Sequence, residues 1–261
     1  MKYGFIGCGN MGGAIARALS KTTKDILLSD LSDIKFKLAQ ELGCEVGDNT
    51  QVAEDCDCVF LAVKPHLVEK VLTPLLPVLK ERKPLLISMA AGVNIQKLEN
   101  ITSQQLPIIR IMPNTPVSVG KGMILYCANN NVTDEMLSAF LAGMQYAGRL
   151  DAIDEKLIDA ASAVSGCGPA FMYMFIEALA DGGVTCGLPR AKAIEYAAAT
   201  MAGAAEMVLK TNQHPGALKD AVCSPGGSTI VGVNTLEQNG FRGAAMDCVI
   251  AAYKKTVDLG K

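Results

Sequence analysis

No tryptophan occurs in the 261 residues, and phenylalanine and tyrosine number only 7 and 6. A core cannot then be built on large rings, and must come from aliphatic and small side chains. Charge is also sparse, at 19% of residues, and nearly balanced, with 24 basic and 26 acidic side chains for a net charge of −2. No basic arm or stripe appears, so the composition argues against a nucleic-acid partner. No run approaches the eighteen or so uncharged apolar residues of a membrane span, so no membrane-spanning helix is expected. The apolar run at the start, Tyr3-Gly-Phe-Ile-Gly7, is too short for a signal peptide, and a cytoplasmic location is expected.

Histidine is nearly absent, with His66 and His214 alone. Neither lies in a glycine-rich turn, no Ser-His-Asp order or HExxH helix occurs, and both read as structural. The nine cysteines are odd in number and scattered from Cys8 to Cys248. Only Cys56 and Cys58 lie close together, without the second pair that a metal knuckle needs. No metal is expected. The thiols read as reduced, small apolar filler, with Cys167 alone near a turn of possible chemistry.

What is present is apolar material, 50% of residues, with 25 glycines and 12 methionines. That suffices for a sizeable core and excludes wholesale disorder. In residues 1–152, apolar runs at Tyr3–Ile6, Ile26–Ser29, Val59–Val63, Leu85–Ser88 and Ile108–Met112 are continuous, as in strands buried on both faces. Helical patterns separate them at Met11–Ser20, Asp33–Leu42, Val68–Leu79 and Ile95–Glu99. Gly122–Cys127 and Gly148–Ala152 extend the sheet around a helix at Asp134–Gln145. This alternation predicts an α/β domain with a doubly wound parallel sheet. Residues 153–261 show no strand pattern. Helices are expected at Lys156–Val164, Pro169–Asp181, Pro189–Leu209, Ala217–Val222, Thr229–Asn239 and Gly243–Asp258. Eight alanines between Ala191 and Ala205 would let helices approach closely, within the chain or across a dimer.

Gly7-Cys8-Gly9-Asn10-Met11-Gly12 follows the first strand and opens the first helix. This is the GxGxxG pattern in its required place, so the first domain reads as a Rossmann-type dinucleotide site. Gly7 permits the turn, Gly9 lets backbone approach a pyrophosphate, and Gly12 brings helix against strand. The helix start offers amide N–H groups to the phosphates. Asp30 closes the second strand, where a carboxylate suits the ribose hydroxyls of NADH and repels a 2′-phosphate. Lys35 and Lys37 follow and leave NADPH open. Three successive strands end in compact loops on the ligand edge: Val63-Lys64-Pro65, Ser88-Met89-Ala90-Ala91-Gly92 and Met112-Pro113-Asn114-Thr115-Pro116.

Two glycine turns stand out in the helical half, Ser165-Gly166-Cys167-Gly168-Pro169 and Ser224-Pro225-Gly226-Gly227-Ser228-Thr229. The second offers successive N–H groups and a helix start to a small carboxylate, unless Ser228 or Thr229 is simply an N-cap. The helix after Gly168 carries no lysine or arginine before Arg190. An alcohol dehydrogenase needs a base for the hydroxyl proton, and none is evident. Reduction of a C=N bond asks less, because an imine can be protonated before hydride arrives, and catalysis then rests on positioning. A dinucleotide-sensing protein would keep the Gly7–Gly12 loop without needing the Gly226–Thr229 loop, yet both occur here.

These segments resemble the pyrroline-5-carboxylate reductase family nearly end to end. The resemblance rests on Phe5–Gly12, Ala62-Val63-Lys64-Pro65, Ala90-Ala91-Gly92, Arg110–Pro116, Ser165–Ala170 and, most specifically, Asp220–Thr229. It implies reduction of 1-pyrroline-5-carboxylate to L-proline with NADPH or NADH, the last step of proline biosynthesis. It implies an all-helical domain that forms a homodimer, assembled in some members to a decamer. It places Ile6, Gly7, Cys8, Gly9, Asn10 and Met11 at the pyrophosphate, Asn49 near the adenosine ribose that Asp30 would also meet by its place after the second strand, and Ala62, Val63, Lys64, Pro65, Met89, Ala90 and Ala91 along the nicotinamide side. Ser165, Gly227, Ser228 and Thr229 would hold substrate, with Thr229 donating to the imine nitrogen. Cys167 stands where the family often has serine, and Asp30 where many members have Ser, Asn or Arg.

Overall fold

The computed structural model describes residues 1–103 and 105–259. They form two compact units. One comprises Met1–Cys167 with the chain from Ala252 onward, the other Gly168–Ala251.

The first unit carries a single sheet. In chain order it runs β1 (Tyr3–Ile6), α1 (Asn10–Leu19), β2 (Ile26–Ser29), α2 (Ile34–Leu42), β3 (Glu45–Val46), α3 (Asn49–Asp55) and β4 (Cys58–Leu61). It continues with α4 (Val68–Leu72), α5 (Leu76–Arg82), β5 (Leu85–Ser88), α6 (Ile95–Thr102), β6 (Ile108–Met112), β7 (Gly122–Ala128), α7 (Asp134–Gly143), β8 (Gly148–Ala152) and α8 (Ile158–Ser165). The strand order is β3-β2-β1-β4-β5-β6-β7-β8. β1 pairs with both β2 and β4, so the winding reverses beside it, where open sheets of this kind bind ligands.

Every residue of β1, β2, β4, β5 and β6 is buried, the physical counterpart of their unbroken apolar runs. Alternate side chains feed two cores. Phe5, Ile15, Leu19, Leu28 and Phe60 meet on one face; Ile6, Val52, Val59, Leu61, Leu72 and Leu79 meet on the other. The few aromatics are well used, with Phe5 stacked on Phe60 at 4.6 Å between ring centroids.

Three details depart from the sequence expectation. β7 runs antiparallel to β6, and β8 is parallel to β7. The 113–121 connection is shorter than the dozen or so residues of a parallel crossover, so the chain doubles back. The segment expected as one helix, 68–79, is divided into α4, a 3-10 turn at Thr73–Leu75 and α5, because Pro74 and Pro77 each remove an amide donor. β3 and α3 carried no pattern long enough to be read. The compact units divide after Cys167, beyond residue 152, where strand patterns stop. Ile158 of α8 packs on Met112 and Leu125, which ties that helix to the sheet.

The second unit contains α9 (Gly168–Thr185), α10 (Arg190–Thr211), α11 (Pro215–Val222), α12 (Ser228–Gln238) and α13 (Phe241–Leu259), the last shared with the first unit from Ala252 onward. α9 and α10 meet through Ala180, Ala193 and Ala197, so part of the alanine face is used within the chain. Neither α11 nor α12 buries a residue within the chain. Met174, Val231 and Met246 are 70%, 62% and 61% exposed, apolar side chains left open on three different helices of this unit. Within Glu155–Thr185 an 18-residue window reaches a mean hydropathy of 1.3, long and apolar enough to cross a bilayer by length and composition only. A helix of a soluble core passes the same test, and Gly166-Cys167 interrupts this one between α8 and α9.

Candidate active site

The glycine loop between β1 and α1 separates internal from external demands. Gly7 has φ +103°, and a Cβ there would collide with the Ala62 carbonyl. A Cβ on Gly12 would collide with the Gly7 carbonyl and come within 2.8 Å of the Ala62 methyl. Both glycines are therefore demanded by strand–helix packing. A Cβ on Gly9 would meet no atom within 4 Å. Nothing in the protein requires glycine there, and the open space leaves room for a ligand to lie on the backbone. Gly9 is also the N-cap of α1 and offers no side-chain bond, so the first-turn amides are left for an anion.

Asp30 follows β2 beside this loop. Its Oδ2 accepts the Cys8 N–H at 2.6 Å, and its Oδ1 accepts the Ser32 N–H at 2.8 Å and hydroxyl at 3.0 Å. Burial pushes the carboxyl up, but the bonds from Cys8 and Ser32, with Lys35 nearby, outweigh it and hold the group below the usual carboxylate range. Asp30 is thus a fixed anion that also latches the glycine loop. Ser29 donates its hydroxyl to Asn49 Oδ1 at 2.7 Å, which leaves the Asn49 amide nitrogen as the group to donate outward.

These residues line a cavity of about 700 Å³. Ile6, Gly7, Gly9, Asp30, Asn49, Ala62, Val63 and Lys64 all face it. So do Leu67, the last residue of a 3-10 turn, and Lys70, Val71, Pro74 and Leu75, whose segment reads in the sequence only as a helix. Their apolar spacing was the available signal, and it was indistinguishable from core. Cys8 is buried beneath the loop and contributes its backbone. Asn10, Met11, Pro65, Met89, Ala90 and Ala91 lie outside this cavity lining. Pro65 begins a 3-10 turn after β4, and Met89–Ala91 follow β5, whose last residue, Ser88, is fully buried.

β6 leads to Asn114, whose amide nitrogen donates to the Ser165 carbonyl at 2.9 Å. The Ser165 hydroxyl donates to the Ala161 carbonyl at 3.0 Å, one turn back in α8. Upstream on β6, Arg110 is 3% exposed and bonds Glu155 at 3.0 Å and Asp159 at 3.3 Å. Glu155 also accepts the Ile95 N–H at 2.7 Å. This network joins β6, α6 and α8, and of its members only Arg110 lay in a segment that the sequence singled out.

In the second unit, Gly226 turns the chain at φ +69° and the Gly227 N–H donates to the Ser224 carbonyl at 3.0 Å. α12 then starts at Ser228 with Gly227 as N-cap and no side-chain bond. Ser228 and Thr229 are exposed, so neither hydroxyl is spent on capping. His214 does cap α11, its Nδ1 accepting the Gly216 N–H at 3.1 Å. All nine cysteines are free; Cys8, Cys56 and Cys58 are buried, Cys186 is exposed and the others are partly so. Buried filler therefore describes only three of them within the chain.

Residues 155–259 match the family described as pyrroline-5-carboxylate reductase dimerisation, and residues 2–92 match NADP oxidoreductase, coenzyme F420-dependent. The pyrroline-5-carboxylate reductase of Escherichia coli is 40% identical over 266 residues, covering 100% of this chain and 98% of that protein. That of Glycine max is 40% identical, covering 98% and 95%. The crystal structure of Plasmodium falciparum pyrroline carboxylate reductase with NADP bound superposes with a TM-score of 0.90 at 37% identity, covering 100% and 98% of the two chains. Likeness at this level along the whole chain, with the glycine loop and its cavity in place, establishes that the chain belongs to the pyrroline-5-carboxylate reductase family.

Proposed function

We propose that this chain reduces 1-pyrroline-5-carboxylate to L-proline with hydride from NADPH or NADH. The observation that carries the reading is the Gly9 cradle: an open position for a Cβ, an uncapped helix start and the Asp30 carboxylate around one cavity, in a chain that is like its reductase relatives from end to end. The nicotinamide cofactor, when bound, supplies the hydride; the chain supplies placement. Ile6 to Met11 hold the pyrophosphate through backbone amides, and Asp30 and Asn49 address the ribose. Ala62 to Pro65 and Met89 to Ala91 border the nicotinamide.

Gly227, Ser228 and Thr229 hold the substrate carboxylate and ring, and Ser165 is a further contact. Thr229 donates to the imine nitrogen. As hydride adds to the C=N carbon, the π electron pair passes to the nitrogen, which takes up a proton from solvent as that charge develops. No residue need act as base, which fits a site without histidine. The residues from 153 onward form the dimerisation and substrate-binding domain. The open apolar faces of α11 and α12 support a homodimer, with a decamer as its further assembly, and we read the exposed apolar residues of α9 as dimer surface in a cytoplasmic enzyme not bound to a membrane. Purified protein should consume NADH or NADPH, read as falling absorbance, only when 1-pyrroline-5-carboxylate is added. No substrate-dependent change with either cofactor refutes the assignment.

A further inference from the structure

Asn114 takes no part in the cavity described above, yet it is a polar side chain only 9% exposed. Its carboxamide is engaged at both ends. Oδ1 accepts the Met123 N–H at 2.9 Å, near the start of β7, and Nδ2 donates to the Ser165 carbonyl at 2.9 Å, at the end of α8. The orientation is dictated by its partners, because a reversed amide would set N–H against N–H and oxygen against oxygen.

The last carbonyls of a helix lack intrahelical donors. In α8 the Ser162 carbonyl accepts the Gly166 and Cys167 N–H groups at 2.7 and 3.1 Å. The Ser165 carbonyl is taken by Asn114. One amide thus ties the end of α8 to β7, which the ladder with β6 makes rigid from Met112 opposite Leu125. The Ser165 hydroxyl belongs to the same residue as that carbonyl, so its position follows this tie.

We propose that Asn114 is a positioning residue for imine reduction, acting through the Ser165 carbonyl to hold the Ser165-Gly166-Cys167 turn against the substrate. This rests on the reading of Ser165 as a substrate contact. Asn114→Asp keeps the shape and the acceptor for Met123 but sets an anionic oxygen against the Ser165 carbonyl. The expected result is a fall of about tenfold or more in kcat/KM for 1-pyrroline-5-carboxylate, with the dissociation constant of NADH or NADPH changed by less than about twofold. A merely structural defect would weaken both together. If Asn114→Asp does not fold, Asn114→Ser, which is too short to reach both partners, carries the same prediction. Imine kinetics equal to wild type in a folded variant, or an equal loss of cofactor affinity, overturns the proposal. A wild-type chain that does not reduce the imine in the same assay overturns instead the functional reading on which it rests.

Discussion

Replacing Gly9 and Gly12 in turn by alanine separates ligand binding from packing within one short loop. At Gly12 the added methyl meets the Gly7 carbonyl and the Ala62 methyl, backbone and a short side chain that cannot swing away. Overpacking of this kind costs about 1–3 kcal/mol. For a unit of this size each kcal/mol lowers Tm by about 2–4 °C, so Gly12→Ala should melt roughly 2–12 °C lower. At Gly9 the methyl meets no protein atom. The residual cost is the poorer N-cap, up to about 1 kcal/mol, or at most roughly 4 °C. The methyl would instead occupy the space where the pyrophosphate approaches, and cofactor affinity should drop by about tenfold or more, equivalent to about 1.4 kcal/mol. The assay is thermal melting of each variant with and without saturating NADH or NADPH, alongside direct titration of the cofactor. Gly9→Ala should lose the cofactor-induced rise in Tm while keeping nearly the wild-type melt without cofactor. A Gly9→Ala protein that binds cofactor as tightly as wild type refutes the placement of the pyrophosphate.

Asp30→Ser should shift the ratio of NADPH to NADH use upward, since it removes the fixed anion, and should weaken both cofactors somewhat through loss of the bond to Cys8; an unchanged ratio in side-by-side kinetics removes Asp30 from the selection. The folded-state pKa of Asp30 is lowered, so its contribution to stability is present above the ordinary carboxylate range and is lost as pH falls through that lowered value. Asp30→Asn should flatten that acid limb of the stability profile, and a limb identical to wild type contradicts the sign. Thr229→Ala should leave cofactor affinity nearly intact and lower turnover on the imine; parallel loss of NADH binding would mean that Thr229 serves the cofactor. Burial pushes the thiols of Cys8, Cys56 and Cys58 up to about 12, so a pulse of alkylating reagent at pH 8 should spare them and mark Cys186 first, as read by peptide mass mapping. Early modification of any of the three in folded protein would contradict their burial.

The strands of the first unit were legible because burial on both faces forces unbroken apolar runs. Tyr3–Ile6, Ile26–Ser29, Leu85–Ser88 and Ile108–Met112 are found where the runs lie. β3 was not legible, since Glu45–Val46 is two residues long and held by pairing with Leu27 and Leu28 rather than by its own pattern. α3 buries only Val52 and Ala53, too little for a periodic signal, although the capping box between Asp48 and Gln51 marks its start. The reversal at β7 depends on the length of the preceding connection, a constraint that apolar patterning does not express.

The candidate site was legible where chemistry demands a residue type, and silent where geometry alone does. Gly7, Gly9 and Gly12 all appear in one motif, yet only the structure shows that two answer to Ala62 and to each other while the third answers to nothing in the protein. Asp30 was readable as a candidate ribose ligand by its place after β2. Its second task, latching the Cys8 amide, needs the loop and the strand end to be brought within hydrogen-bonding distance, 22 residues apart in sequence. Asn114 and Arg110 are the sharper cases. Both lie in the segment 110–116 that carried the family resemblance, and neither faces the cavity. Their partners, Ser165 for one and Glu155 and Asp159 for the other, lie 45 to 51 residues further along the chain. Residues in a family motif need not touch a ligand. Here they fasten α8 and the turn after it to β6 and β7, and on the proposed reading this fixes the Ser165 turn on the same sheet that carries the glycine loop.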